Sequence, residues 1–364
     1  MDIRKIDKNF SSAPVDENGF LFRDVKLAPF SLEGLPWFEE NNKAFYRLPM
    51  TMTNKDVNEG ALELCRHTSG VCVRFRSNST ELMLKATLSN SCDMNHMTRA
   101  GSMGFDAFCR MPGGKMRYNK TIQPDPGQKE VCAVIGLNPE GKMCDWIINF
   151  PLYGGVDSVE IGLKDGSRIA PPKKHKVKPV LFYGSSITQG GCASRPGNNY
   201  CSMLCRAVDA EQINLGFSGC GKGEIAVAKA IASLDLGAFV MDYDHNAPDA
   251  AHLEATHELF FKEIRKANPD LPVIMMSKCD FRYIVPSEAK NSAIRREIIR
   301  KTYQNAVDAG DQNVYFIDGE ELFGKDLRDC CTVDGCHPND FGFYRMYARV
   351  LPVLKKALKK QAAR

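Results

Sequence analysis

The sequence predicts a two-domain chain of mixed class: an all-β sandwich over residues 1–170, a linker at residues 171–178, and an α/β domain with a parallel sheet over residues 179–364. Three observations lead to this prediction. A chain of 364 residues is longer than one compact core commonly spans. The first half lacks the helical period. The second half alternates strand-length apolar runs with helix-length stretches, which is typical of a parallel sheet covered on both faces.

The first half, which we call the front domain, contains short and partly alternating apolar segments separated by Gly, Asn, Pro and Asp clusters. Such segments are typical of the strands of an all-β sandwich. They lie at residues 62–65, 71–75, 81–88, 104–111, 130–135 and 156–163. After them, prolines and lysine pairs at residues 171–178 indicate the linker.

The α/β domain is predicted to contain five buried strands, at residues 177–183, 212–217, 238–242, 273–277 and 314–318. Helices are predicted at residues 198–209, 222–234, 250–267 and 287–309, and a final amphipathic helix follows Pro338. Two helix boundaries have local support, because Asn268-Pro269 ends one helix and Pro286-Ser287 begins another.

A turn rich in hydroxyl groups follows the first strand of the α/β domain. Val-Leu-Phe-Tyr at residues 180–183 leads into Gly184, Ser185 and Ser186, and ligands of open parallel sheets bind beyond the carboxyl ends of the strands. Glycine and serine also form ordinary strand-to-helix turns. The far end of the chain favours a functional interpretation, because Asp334 lies three residues before His337. A serine, a histidine and an aspartate are the parts of an acyl-transfer site.

Four blocks, in order along the chain, resemble those of the GDSL, or SGNH, hydrolases. Gly-Ser-Ser-Ile-Thr at residues 184–188 resembles the first block, with Ser185 in place of the usual aspartate, and Asp-Gly-Cys-His-Pro at residues 334–338 resembles the last. Residues 214–219 and 242–246 resemble the second and third blocks, although the usual Gly-x-Asn-Asp is only partly kept. The resemblance implies a flavodoxin-like, three-layer α/β/α SGNH hydrolase domain.

Ser186 is the predicted nucleophile. A serine hydroxyl reacts only when an adjacent base removes its proton, and His337 is the candidate base. Asp334 is predicted to orient the imidazole and to stabilise its protonated form. Ser185 and Ser218 are rival nucleophiles, since Gly-Phe-Ser-Gly-Cys around Ser218 nearly forms the elbow of the α/β-hydrolases. A cysteine occupies the position of the last glycine of that elbow.

The resemblance also implies an oxyanion hole. In the family, the tetrahedral oxyanion is held by the amide of the serine, the amide of the second-block glycine and an asparagine side chain, which fall on Ser186, Gly219 and Asn246 of this sequence. The alternative role of Asn246 is to turn the chain before Pro248. His245 is a candidate for lining the substrate pocket beside Asn246.

Two stretches of the front domain resemble the jelly-roll domain that precedes the hydrolase domain in a branch of SGNH carbohydrate esterases. They are Gly-Phe-Asp-Ala-Phe around Asp106 and residues 150–156, although Ala107-Phe108 replaces the more usual Leu-Tyr. The resemblance implies removal of acetyl groups from plant-type oligosaccharides. Three aromatic residues are candidates either for stacking on sugar rings or for the sandwich core: Trp37, Trp146 and Tyr153.

The composition limits the partners. A formal charge of +4 over 364 residues does not indicate a nucleic-acid surface. Without a secretory leader or a run of eighteen apolar residues, we expect no membrane contact and a cytoplasmic location. Fourteen cysteines without a Cys-x-x-Cys motif indicate free thiols. The spacing of Cys330-Cys331 and Cys336-His337 matches no zinc pattern, so neither a metal nor another cofactor is expected.

The sequence therefore predicts a serine esterase that removes O-acetyl groups from carbohydrates of the xylan or mannan type, through an acyl-enzyme on Ser186. Two alternatives stay open. One is a thioesterase or lipase of the same family that acts on longer acyl chains. The other is a carbohydrate-binding protein whose hydrolase domain is inactive, as the degenerate first and third blocks suggest. Whether the chain forms a homo-oligomer is also open.

Overall fold

The computed structural model describes residues 15–279 and 286–362. Within residues 15–170, ten antiparallel strands build the front domain: β1 Phe20–Asp24, β2 Ser31–Glu33, β3 Cys72–Ser77, β4 Glu81–Leu88, β5 Phe105–Arg110, β6 Arg117–Ile122, β7 Glu130–Leu137, β8 Cys144–Asn149, β9 Val156–Lys164 and β10 Ile169–Ala170. One sheet has the order β1-β9-β4-β7, and the other has the order β10-β3-β8-β5-β6, with β2 paired to β3. Their inner faces enclose one apolar core, which confirms the predicted sandwich.

Five of the six predicted front-domain strands are present, and the first is wrong. The segment predicted at residues 62–65 belongs to helix α1 (Glu59–Leu64). Asn58 caps this helix by accepting a hydrogen bond from the amide of Ala61, which is buried. A second short helix, α2 (Arg99–Ser102), precedes β5.

In its described residues, the α/β domain contains five parallel strands: β11 Val180–Gly184, β12 Gln212–Gly216, β13 Ala238–Asp242, β14 Val273–Met276 and β15 Val314–Ile317. Their order is β12-β11-β13-β14-β15, which is the flavodoxin-like order 2-1-3-4-5. The helices are α3 Ser186–Gln189, α4 Tyr200–Val208, α5 Ile225–Ala232, α6 Ala250–Ala267, α7 Pro286–Asp308 and α8 Asp340–Ala362. The predicted strands and helices are therefore all present, and only their ends differ by a few residues.

The helices cover both faces of the parallel sheet. Apolar side chains of α5, α6 and α7 pack on one face, whereas those of α4 and α8 pack on the other. This three-layer arrangement confirms the predicted fold class. No helix in residues 15–279 or 286–362 combines the length and the apolar character needed to cross a membrane.

Parts of the front domain complete the core of the α/β domain. Side chains between residues 37 and 65, including Leu48 and Val57, belong to the apolar cluster on the α5–α6–α7 face. Met97, Leu152 and Tyr153 belong to the cluster on the opposite face. The two domains thus share both of these apolar cores, and the front domain reaches the edge of the sheet where β11, β12 and β13 end.

Candidate active site

The first strand of the parallel sheet delivers two serines to its carboxyl end. All five residues of β11 are buried, and the strand ends at Gly184, where a Cβ atom would collide with the Asp242 carbonyl group of β13. Ser185 is the N-cap of α3, and its Oγ accepts a hydrogen bond of 3.2 Å from the amide of Ile187. Ser186 is the first residue of α3 and is 8% exposed. The hydroxyl of Ser185 is therefore used in the cap, whereas that of Ser186 contacts His337.

Ser186, His337 and Asp334 form a continuous hydrogen-bonded chain. Ser186 Oγ lies 2.9 Å from His337 Nε2, and His337 Nδ1 lies 2.7 Å from Asp334 Oδ2. The other carboxylate oxygen of Asp334 accepts the amides of Cys336 and His337, at 2.9 and 2.7 Å. Although partial burial opposes it, hydrogen bonds from the backbone and ring of His337 and from the Cys336 amide lower the pKa of Asp334. The carboxylate is therefore ionised and fixed beside the imidazole at neutral pH.

The three groups predicted to form the oxyanion hole follow the ends of three neighbouring strands. Gly219 lies beyond β12, is exposed and has a φ of +72°, which favours glycine. Asn246 follows β13, and its Nδ2 donates a hydrogen bond of 2.8 Å to the carbonyl of Phe217. Within the described part of the chain, the amides of Ser186 and Gly219 donate to no other group. Both amides are thus free to donate to a developing negative charge.

The rival serines have other partners. Ser185 is fully buried and caps α3. The amide of Ser218 donates to Gln189 Oε1 at 2.9 Å, and its side chain forms a hydrogen bond with the hydroxyl of Tyr153. Among the described residues, neither serine hydroxyl contacts a histidine, so neither has the base that activation requires.

Ser185 occupies the position of the family's usual aspartate in the turn that carries the nucleophile. A buried carboxylate, that of Asp242, anchors this turn. Asp242 ends β13 and accepts hydrogen bonds from Thr188 Oγ1 at 3.1 Å and from the Tyr200 hydroxyl at 2.8 Å. Burial raises the pKa of Asp242 to about 7, against the opposing effect of those two hydrogen bonds. Asp242 and the Ser185 cap together hold α3, which explains how the turn is built with serine at this position.

Two of the substrate-binding predictions are wrong, because the side chains are buried in cores. Trp37 is 7% exposed and packs with the apolar cluster on the α5–α6–α7 face. Trp146 is 1% exposed and lies inside the sandwich. On β8, Cys144, Trp146 and Ile148 alternate inward, as the period of a strand requires. Neither indole ring has a face open to a sugar.

Tyr153 and His245 do lie beside the site, although Tyr153 cannot stack on a sugar. Tyr153 is 5% exposed, and its hydroxyl lies 3.5 Å from the carbonyl oxygen of Ser186. The prediction that Tyr153 stacks on a sugar ring is therefore wrong, because this side chain is buried and its hydroxyl contacts the backbone of the nucleophile turn. His245 is half-buried on the turn before Asn246. Burial, and then the charges of Lys278 and His337, lowers the pKa of His245, so its imidazole is neutral.

His96 is a site residue that the sequence did not indicate. It belongs to the loop between β4 and α2 of the front domain, and its ring packs edge-on against His337 with 5.5 Å between ring centroids. Cys192 lies near the same imidazole, with its thiol within 4.8 Å of ring nitrogens of His96 and His337, and it donates its amide to the carbonyl of Pro338 at 3.0 Å. Burial raises the pKa of the Cys192 thiol to about 12, so it is no competing nucleophile at neutral pH. Because His96 and His337 are distant in sequence, only the fold brings them together.

Asp106 of the front domain holds the loop that follows the nucleophile helix. Its buried carboxylate accepts hydrogen bonds from Arg195 Nη1 at 2.6 Å, from the amide of Gly197 at 2.9 Å and from Asn149 Nδ2 at 2.7 Å. The guanidinium of Arg195 also stacks on Tyr118, 4.1 Å from the ring centroid. This charge-assisted cluster fixes one side of the site to the sandwich.

Arg47 connects the front domain to the oxyanion side of the site. Its guanidinium is fully buried and donates to four backbone carbonyls, those of Leu64, His67, Asn214 and Gly216, at 2.6–2.9 Å. Burial lowers its pKa to about 10, which still leaves it charged at neutral pH. Because two of the carbonyls belong to β12, Arg47 fixes the strand that leads to Gly219.

Two family models match consecutive parts of the chain. Residues 177–355 match the GDSL-like lipase/acylhydrolase family, and residues 20–169 match the N-terminus of SGNH-hydrolase-type esterases. The chain belongs to the GDSL-like lipase/acylhydrolase family. Family membership and the hydrogen-bonded Ser–His–Asp chain together support an ester hydrolase. No curated protein matches the chain by sequence.

Solved structures that are similar to this chain cover both of its domains. A GDSL-like lipase from Bacteroides ovatus is 28% identical, with a TM-score of 0.83 over 93% of this chain and 98% of that one. A salicylyl-acyltransferase from a tetracycline biosynthetic pathway is 16% identical, with a TM-score of 0.74 over 94% and 99%. An acetyl xylan esterase from the rumen bacterium Butyrivibrio proteoclasticus is 13% identical, with a TM-score of 0.57 over 93% and 99%. The last two show the fold alone.

Proposed function

We propose that this acylhydrolase is a serine esterase that removes O-acetyl groups from acetylated carbohydrates of the xylan or mannan type, through an acetyl-enzyme on Ser186. One observation carries the proposal: Ser186 Oγ, the His337 imidazole and the Asp334 carboxylate are joined by hydrogen bonds of 2.9 and 2.7 Å. Distances in this range allow direct proton transfer between the hydroxyl and the imidazole.

In the proposed first step, Ser186 Oγ attacks the carbonyl carbon of the acetyl ester while His337 Nε2 takes the hydroxyl proton. Asp334 stabilises the imidazolium that forms and keeps the ring oriented. The tetrahedral intermediate then collapses: the bond from carbon to the sugar oxygen breaks, and His337 returns the proton to that oxygen. The products of this step are the free sugar hydroxyl and acetyl-Ser186.

In the second step, water replaces the sugar. His337 removes a proton from the water as the water oxygen attacks the acetyl carbon, and acetate leaves as Ser186 regains its proton. In both steps the negative oxygen accepts hydrogen bonds from the amides of Ser186 and Gly219 and from Asn246 Nδ2. Each such donor is worth roughly 3 kcal/mol of transition-state stabilisation, so three donors supply a large part of the acceleration.

Carbohydrate is proposed as the leaving group because of the front domain. Residues 20–169 match the N-terminal domain found in SGNH-type esterases, and the acetyl xylan esterase of Butyrivibrio proteoclasticus has the same two-domain fold. His96 of the front domain packs against His337, the base that contacts Ser186. A substrate larger than an acetyl group therefore meets both domains.

Mass spectrometry of acetylated xylan and mannan oligosaccharides tests the substrate. We expect stepwise loss of acetyl groups with the wild-type chain and none with Ser186→Ala. A series of 4-nitrophenyl esters from acetate to octanoate tests the acyl chain, and the highest kcat/KM is expected for acetate. A maximum at octanoate with intact oligosaccharides would instead support a lipase or thioesterase, and no turnover of any ester would support a binding protein.

A further inference from the structure

The side chain of His337 and two side chains beside it could together bind a metal ion. His96, Cys192 and His337 each offer one ligand atom, and the three atoms lie within 4.8 Å of one another. His96 is exposed, His337 is half-buried and Cys192 is 7% exposed. They come from the front domain, from the segment after α3 and from the loop before α8, so no sequence spacing could reveal the group.

The donor set fits a thiophilic cation. Zn²⁺ binds thiolate at about 2.3 Å and imidazole at about 2.0–2.1 Å, which places tetrahedral ligands roughly 3.3–3.6 Å apart. Closing the group to this size requires a shift of about 1 Å, and His96 is the exposed member of the group. Sulfur and nitrogen donors disfavour Mg²⁺ and Ca²⁺, which take oxygen ligands.

The partner of His337 also matches a zinc site. In such sites the ligating imidazole donates its second N–H to a carboxylate, which fixes the tautomer and raises the basicity of the ligand nitrogen. Asp334 Oδ2 accepts a hydrogen bond from His337 Nδ1 at 2.7 Å, so Nε2 is the ring nitrogen that would bind an ion. The same Nε2 contacts Ser186 Oγ at 2.9 Å. An ion on Nε2 would therefore replace the contact that activates the nucleophile.

We propose that His96, Cys192 and His337 form an inhibitory site for Zn²⁺ at the mouth of the active site. Coordination deprotonates the Cys192 thiol, and its proton passes to solvent. A water or the Ser186 hydroxyl completes the tetrahedron. While the ion is bound, His337 cannot accept the serine proton, so ester hydrolysis stops; a chelator restores it.

Calorimetric titration of Zn²⁺ into Ser186→Ala tests binding without reference to activity, because this variant keeps all three ligands. We expect one ion per chain. A second substitution in this variant, either His96→Ala or Cys192→Ser, should weaken the Zn²⁺ affinity at least about tenfold. The loss of a ligand costs no less affinity than the loss of a residue that hydrogen-bonds a ligand. Adding Cys330→Ser, which removes an exposed thiol outside the group, should change nothing. Equal affinity in all four proteins, or no binding by Ser186→Ala, would overturn the proposal.

Inhibition of 4-nitrophenyl acetate hydrolysis provides the second test. Zn²⁺ should inhibit the wild-type chain reversibly, whereas Mg²⁺ should not. The inhibition constant, measured against the zinc-free rate of each variant, should rise at least about tenfold in His96→Ala and in Cys192→Ser and stay constant in Cys330→Ser. Unchanged inhibition in both ligand variants would show that the ion acts elsewhere. If the esterase proposal fails instead, no ester is turned over, and the calorimetric result still decides the metal site.

Discussion

Replacing Arg47 by lysine should destabilise the chain and slow the reaction together. The guanidinium donates to two carbonyls at and just after the end of α1, of Leu64 and His67, and to two on β12, of Asn214 and Gly216. A lysine ammonium donates from a single point and cannot reach both pairs. About two buried carbonyls then lose their partner, at roughly 1–3 kcal/mol each. The expected loss of unfolding free energy is therefore about 2–6 kcal/mol.

This loss can be converted into a melting temperature. With an unfolding entropy of about 2.1 cal/mol/K per residue, the whole chain has an unfolding entropy of roughly 0.8 kcal/mol/K, so Tm should fall by about 3–8 °C. Because β12 leads to Gly219, we also expect kcat for 4-nitrophenyl acetate to fall about tenfold, or 1.4 kcal/mol, with little change in KM. Calorimetric melting and initial-rate kinetics measure the two effects.

Arg66→Lys is the matched control, because Arg66 is exposed and its guanidinium only lies over the Tyr46 ring, 5.6 Å from the centroid. We expect this variant to keep the wild-type Tm and kcat. The reasoning would be refuted if Arg47→Lys behaved like Arg66→Lys in both measurements, since the front domain would then not position the oxyanion side of the site.

Three further predictions follow from single side chains. Asn246→Ala should lower kcat by roughly 10²–10³ with little effect on KM, and unchanged steady-state kinetics would remove Asn246 from the oxyanion hole. Asp334→Asn should cost about 10³-fold or more in kcat because His337 loses its orienting carboxylate, so near-normal turnover would contradict the triad. Burial lowers the pKa of His257 to about 3, below its unfolded value of about 6.5. Its stabilising contribution is complete above pH 6.5 and is lost on acidification, by about 2 kcal/mol between pH 7 and pH 5. His257→Gln should therefore lose less stability over that interval in urea unfolding, and an equal loss would disprove the assignment.

The fold of the α/β domain could be predicted because its strands are buried on both faces. The runs that form β11 to β15 are mainly apolar and of strand length, and the helices between them have clear boundaries, such as Pro286 at the start of α7. The strands of the front domain were harder to predict, since half-exposed strands carry many polar residues. Strand β6, Arg-Tyr-Asn-Lys-Thr-Ile, has only one buried side chain and was not predicted. Conversely, the apolar residues of α1 resemble a strand unless the Asn58 cap is recognised.

The site was predictable where its residues carry a local pattern. Ser186 follows a buried strand and Asp334 precedes His337 by three residues, so the sequence alone suggested their chemistry. Arg47 and His96 have no such pattern, because their partners lie on distant parts of the chain. Trp146 was wrongly predicted to bind a sugar, because aromatic residues occur both in sugar-binding sites and in apolar cores. The alternation of buried side chains along β8 places Trp146 in the core.

The spacing argument against zinc has the same limit. The spacing of Cys330, Cys331 and Cys336 can be tested because these residues are close together in the sequence. Spacing does not test ligands that the fold brings together from both domains. Cys192, His96 and His337 come from different segments and place ligand atoms within 4.8 Å of one another. Sequence spacing tests only local metal motifs, so a site of this kind becomes visible only in the folded chain.

Identification of the residue that carries the acyl group tests the central claim most directly. The wild-type chain should be labelled by a fluorophosphonate probe, and mass spectrometry of its peptides should place the adduct on Ser186. Ser186→Ala should be folded by circular dichroism, unlabelled and inactive on 4-nitrophenyl acetate, whereas Ser218→Ala should keep its labelling. An adduct on Ser185 or Ser218, or full activity in folded Ser186→Ala, would contradict the account.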